Sequence, residues 1–124
     1  MRFITRVKSA EGAGPPPKAL MDAIAKLGEE ATRDGVLVEM GGLLPSAMGA
    51  RVRLSAGKLI VTDGSFAETK ELIGGYAVYD VKSKQEAIQR TSHFPQLHQE
   101  HWPGWEGEVE IRQLFSAPAS AQAN

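Results

Sequence analysis

The chain contains no cysteine. Disulfide scaffolds, cysteine-based zinc sites and thiol nucleophiles are therefore excluded. Charge of one sign is also missing: 14 Lys and Arg stand against 15 Asp and Glu, for a formal net charge of −1. A basic footprint is lacking, so no nucleic-acid partner is expected. No apolar run approaches the roughly 18 residues that a membrane span needs, so no membrane partner is expected either. Aromatic residues are scarce at 6%. The few polar aromatics are nevertheless concentrated: His93, His98, His101, Trp102 and Trp105 crowd one stretch near the C-terminus.

With 124 residues the chain has the length of one domain. A chain of that size buries roughly two-thirds of the surface its unfolded form exposes, so it needs no covalent staple. The expected limits are a single domain over 1–115 and a disordered tail over 116–124. Ser116–Asn124 holds nothing apolar larger than Ala or Pro, too little to offset the entropy of ordering it. Met1–Lys8 lacks the apolar stretch of roughly 7–15 residues found in a signal peptide. A cytoplasmic location is expected, and the absence of cysteine is compatible with a reducing compartment.

Periodicity lays out the elements. Met1–Lys8 reads as a strand with Phe3, Thr5 and Val7 on one face and Ile4 on the other. Ser9–Pro17 is a loop, because its glycines and three prolines continue neither helix nor strand. Leu20, Ala23, Ile24, Leu27 and Ala31 mark one helical face, and Gly35 suits the left-handed position after that helix. Val36–Leu44 reads as a strand containing Gly41–Gly42. Arg51–Leu54 and Lys58–Thr62 flank Ser55-Ala56-Gly57 as a hairpin. Asp63–Glu71 is a polar loop and Gly74–Val81 a strand. Ser83-Lys84-Gln85-Glu86 is a capping box for a helix expected to stop near His93, before Phe94-Pro95. Gln96–Gly107 is expected to be irregular, and Glu108–Phe115 is the last strand.

Without the hairpin the order is βαββαβ, the ferredoxin-like split unit. The expected class is α+β: a ferredoxin-like βαββαβ unit with an inserted β-hairpin. Such a sheet carries both helices on one face. The strands Gly74–Val81 and Glu108–Phe115 are apolar on both faces and call for cover on both. A second copy packed sheet on sheet would supply it, so a homodimer is expected.

One segment carries a resemblance. Asp63–Tyr76 reads DGSFAETKELIGGY. It resembles the signature D-G-P-F-x-E-x-K-E-x-[LI]-G-G-[FY] of the DGPF branch of the YCII-related family. Asp63, Gly64, Phe66, Glu68, Lys70, Glu71, Ile73, Gly74, Gly75 and Tyr76 match, and Ser65 replaces the usual Pro. The strand-to-helix stretch Tyr79–Ile88 and the run His101–Gly107 are similar to that branch as well. The resemblance implies a dimeric α+β barrel. Some members of the wider superfamily carry a His–Asp pair with the His near the first strand and loop. This chain has no His before position 93, so that pair is absent from its usual place. Other relatives occur beside extracytoplasmic-function sigma factors, which implies a regulatory neighbourhood.

Two clusters have the residue types of a site. In the loop, Asp63, Glu68, Lys70 and Glu71 could anchor a polar ligand, and crowded carboxylates are how acid–base residues are tuned. The same residues serve equally as turn chemistry and as ties between segments. In the second cluster, His98 or His101 has the titration range of a general acid or base. Trp102, Trp105 and Tyr76 have the character of pocket walls. Alternatively the tryptophans plug one end of the barrel and the histidines are solvated. The spacing of His93, His98, Glu100 and His101 fits no standard metal motif, so no metal is assigned. No GxGxxG or GxxxxGK[ST] occurs, and no cofactor is expected. Arg51 and Arg53 alternate on one hairpin face and read as charges blunting an edge.

Two functions remain open. One is a small-molecule enzyme for proton transfer or elimination, with His98 or His101 as acid or base and Asp63 or Glu68 assisting. Lys70, Glu71, Tyr76, Trp102 and Trp105 would bind the small-molecule ligand. The other is a non-catalytic dimeric module for ligand sensing or interaction, linked to transcriptional regulation. The two clusters flank one strand–helix unit, and a helix returning antiparallel to its strand brings them to the same end of the sheet. They are expected to line one pocket.

Overall fold

A computed structural model describes residues 1–66 and 68–115; the expectation for the tail lies outside the described residues. The elements are β1 (Arg2–Ser9), α1 (Lys18–Arg33), β2 (Leu37–Gly42), β3 (Ala50–Ser55), β4 (Lys58–Asp63), β5 (Leu72–Asp80), α2 (Lys84–His101) and β6 (Gly107–Gln113). Four strands form one sheet in the order β2-β5-β1-β6, with every pairing antiparallel. The architecture is α+β and compatible with a ferredoxin-like fold. The hairpin β3–β4 forms a separate two-stranded sheet, inserted between β2 and β5.

Alternation along the strands sorts the two faces. Phe3 pairs with Tyr79, Thr5 with Ala77 and Ile111, and Val7 with Gly75 and Val109. This face packs against the helices in a core holding Phe3, Tyr79 and Val81 together with Ala31 of α1 and Ala87 of α2. The opposite face carries Ile4, Arg6, Tyr76, Val78 and Glu110, and no element of the described chain covers it. Two ion pairs run across it, from Arg6 (3.3 Å) and Lys8 (3.5 Å) to Glu110.

Local chemistry sets the ends of the helices. Pro17 precedes α1, where its missing N–H costs nothing. Gly35 follows α1 at φ +76° and returns its N–H to the Thr32 carbonyl at 3.0 Å, a glycine C-terminus. At α2, Ser83 Oγ accepts from Glu86 N at 3.1 Å, and the Glu86 carboxylate accepts from Lys82 N at 3.2 Å. The hairpin turns on Ala56 and Gly57, both at positive φ, as a two-residue turn with the twist of its strands requires.

The expected end of α2 is overturned. The helix does not stop before Phe94-Pro95 but continues through Pro95 to His101, so Gln96–His101 is helical rather than irregular. A proline inside a helix removes one bond to the carbonyl four residues earlier, here that of Thr91. The turn beyond it is held by Trp102 N donating to His98 O at 2.8 Å. Ring contacts among Phe94, His98, Trp102 and Trp105 also hold it. Two extra helical turns carry His98 over the sheet.

Candidate functional site

A cleft of about 1230 Å³ lies between α1, α2 and the helix-facing side of the sheet. Its floor includes Thr5, Val7, Ala77 and Tyr79; Leu20, Ile24 and Leu27 of α1 form one wall; Thr91, Phe94 and His98 of α2 form the other. These α1 positions are the face that the 3.6-residue period marks. The mouth is made by three loops that contribute Glu11, Pro45, Phe66 and Lys70. Both tryptophans, Trp102 and Trp105, border the cleft beside His98.

His98 is 5% exposed. Its ring lies 4.6 Å from the Phe94 ring, 4.1 Å from Trp105 and 6.3 Å from Trp102, centroid to centroid. Trp105 reaches it by folding over Gly107, where a Cβ would run into the indole. His98 Nδ1 lies 2.9 Å from the Phe94 carbonyl oxygen. A carbonyl only accepts, so the ring proton sits on Nδ1. In the neutral ring Nε2 is then an acceptor, and it has no hydrogen-bond partner among the described residues. Tyr79 and Thr91 are among the other polar residues that border the cleft. Tyr79 is buried, and that burial pushes its phenol pKa up, with Arg90 opposing; its hydroxyl is a neutral donor. Thr91 Oγ1 is buried and unpartnered.

Glu11 closes the mouth. Its carboxylate accepts from Ser46 Oγ at 2.6 Å and from Ser46 N at 2.7 Å. Ser46 Oγ in turn accepts from Phe66 N at 3.1 Å. One buried serine therefore clasps the loops around 11, 46 and 66. The hydroxyl and then the backbone N–H of Ser46 hold the Glu11 pKa below the ordinary glutamate range, with desolvation opposing. Gly64 sits against the Ser46 carbonyl where no side chain fits, and its N–H donates to Gly49 O at 2.9 Å.

The residues singled out in the sequence part company here. Lys70, Trp102, Trp105 and His98 border one cleft, as does Phe66 of the same loop. Asp63, Glu68, Glu71 and His101 do not border it. Asp63 ends β4, paired through its backbone with Ala50. Glu68 is bonded to Arg51, whose other nitrogen donates to Thr69 at 2.7 Å and whose guanidinium lies 3.8 Å from the centre of the Phe66 ring. The Glu68 pKa is lowered, first by its own backbone N–H and then by Arg51. Arg51 and Glu68 thus tie the loop to the root of the hairpin. Tyr76 lies on the uncovered sheet face, where its hydroxyl donates to Glu39; that bond raises its pKa.

Although three apart on one helix, His98 and His101 diverge: His98 enters the cleft, and His101 Nε2 lies 3.7 Å from Glu100 at the surface. No carboxylate among the described residues is bonded to His98. Among the described residues no group of three or more His, Asp or Glu side chains is arranged to hold a metal ion. Sequence reasoning missed Glu11, Ser46, Tyr79 and Thr91. Glu11 left one signal, as the lone charge in the Gly/Pro-rich Ser9–Pro17 loop.

An uncharacterized protein of Rhizobium meliloti (strain 1021) is 44% identical over 54 residues, a stretch covering 44% of this chain and 44% of that relative. No helix among the described residues is long and apolar enough to cross a membrane. Residues 1–114 match the YCII-related domain, and the chain belongs to that family.

Proposed function

We propose that this protein is a ligand-binding module whose cleft takes a small, uncharged aromatic molecule bearing an O–H or N–H group. The observation that carries this reading is the His98 ring, buried among three aromatic rings with its proton committed to Phe94 and its Nε2 left as acceptor. A flat ring stacks in such a cluster, and a donor satisfies Nε2. The floor and walls are mostly apolar and include no Asp, Glu, Lys or Arg, whereas the charged side chains Glu11 and Lys70 belong to the mouth. An ionised group buried between α1 and α2 would lose its hydration without a partner.

The catalytic reading keeps one support, the same Nε2, which has the chemistry to accept a proton from such a donor. The binding reading is favoured because neither carboxylate that would assist borders the cleft: Asp63 lies at the end of β4 and Glu68 is bonded to Arg51.

The DGSFAETKELIGGY block supports placing the chain in the DGPF branch of its family. The uncovered sheet face, with Ile4, Tyr76 and Val78 between ion pairs, supports a homodimer closed sheet on sheet as an α+β barrel. The cysteine-free sequence is compatible with the cytoplasm.

The test is a thermal-shift and tryptophan-fluorescence screen of small aromatics. Both tryptophans of the chain border the cleft, so their emission reports on it. Phenols and indoles are expected to raise Tm and quench emission, and benzoates and anilinium salts to do neither. Hits confined to ionised compounds would refute the reading.

A further inference from the structure

The inserted hairpin presents a face that is aliphatic over its outer two residue pairs. Val52 is paired with Val61 and Leu54 with Leu59, and paired residues point to the same side of a ladder. All four are 68 to 73% exposed. The opposite face holds Arg51, Arg53 and Lys58 with Ile60 and Thr62. A two-stranded hairpin is at best marginally stable alone in water. Its root is pinned by Arg51, and nothing among the described residues covers the aliphatic face further out.

We propose that this face packs against a second copy of the chain, as an arm that extends the dimer contact. The inference rests on the homodimer proposed above and adds the surface that secures it. Three observations select a second copy as the occupant. The four side chains expose on the order of 450 Å², more than scattered apolar residues present and about half of what one partner contributes to a standard stable interface. The uncovered face of the main sheet supplies the remainder. Of the paired residues on this face only Asp63, opposite Ala50 at the root, is charged; the outer four positions carry no charge, so a twofold contact between them sets no like charges against each other. The cations lie on the back of the hairpin, where they remain in solvent when the aliphatic face is covered. In a lipid surface the same geometry would hold them on the side away from the headgroups.

The experiment is sedimentation equilibrium with light scattering on the full chain and two variants. Val52→Glu/Leu59→Glu puts charge on the aliphatic face, and Ile60→Glu puts one charge on the back face as a control. Far-UV circular dichroism checks that each variant is folded. The wild type and Ile60→Glu are expected at twice the monomer mass of 13.4 kDa, and folded Val52→Glu/Leu59→Glu at the monomer mass at concentrations where the wild type is dimeric. A double variant that stays dimeric would overturn the arm and leave the dimer standing. A monomeric wild type would overturn both. Binding of the monomer to phosphatidylglycerol vesicles, lost in the double variant, would assign the face to a membrane instead. If the double variant does not fold, Leu54→Lys alone is measured against the same two outcomes.

Discussion

His98 Nδ1 sits 2.9 Å from the Phe94 carbonyl oxygen one turn earlier on α2, and this one contact decides what the ring offers to the cleft. With Nδ1 as donor, Nε2 is the acceptor. Long-range proton–nitrogen correlation spectra of the neutral ring are expected to show the His98 proton on Nδ1. His101, which makes no such backbone contact, is expected to show the mixture dominated by Nε2–H that is usual for a free ring. A proton on Nε2 of His98 would turn the site from acceptor to donor and remove the argument for the ligand's O–H or N–H.

Pro95 leaves the Thr91 carbonyl without its helical partner. Replacing it with Ala restores that N–H and removes the ring's clash with the preceding turn. Interior proline costs up to about 3 kcal/mol against Ala, and the packing of the Pro95 ring offsets part of this. The expected outcome for Pro95→Ala is a stabilisation of about 1–2 kcal/mol, read as a rise in Tm of several degrees. A fall in Tm would mean that ring packing outweighs the lost hydrogen bond.

Much of this fold is legible in residues one to four apart. The α1 face, the Gly35 stop, the Ser83 cap and the hairpin all follow from local chemistry, and each is present. The end of α2 is not legible, because a local rule against proline was overruled by contacts reaching forward to Trp105, a tertiary effect. The site divides on the same line. That the loop after β4 and the segment after His93 meet follows from the length of a strand and its returning helix. Which of their side chains face inward does not. Asp63 and Glu68 look like chemistry in the sequence, yet Glu68 is spoken for by Arg51, 17 residues back on the hairpin. Glu11 finds its partner 35 residues away, and no local pattern announces that.

The clasp of Glu11 on Ser46 has a pH dependence with a defined sign. In the unfolded chain Glu11 takes up a proton in the ordinary glutamate range. In the folded chain its pKa is lowered by the Ser46 hydroxyl and N–H. Its stabilising contribution is therefore fully present above the ordinary glutamate pKa, and it is lost as pH falls through that range and past the lowered folded value. Glu11→Gln is expected to lower Tm near neutral pH, and the gap to wild type is expected to close in acid. Melting curves across pH for the two proteins read this directly. A gap that is the same at every pH would show that the charge of Glu11 has no part in the clasp.

The most direct measurement of the central claim is a calorimetric comparison of 2-naphthol with 2-methoxynaphthalene, on the wild type and on His98→Phe. The two probes share their ring system and differ in one O–H. The phenylalanine keeps an aromatic ring in the cluster and removes the acceptor. The account predicts that the wild type binds 2-naphthol about five- to tenfold more tightly than the ether, the net worth of one hydrogen bond. It predicts that His98→Phe binds both probes equally. Equal binding of the two probes by the wild type, or a preference for 2-naphthol that survives in His98→Phe, would contradict it.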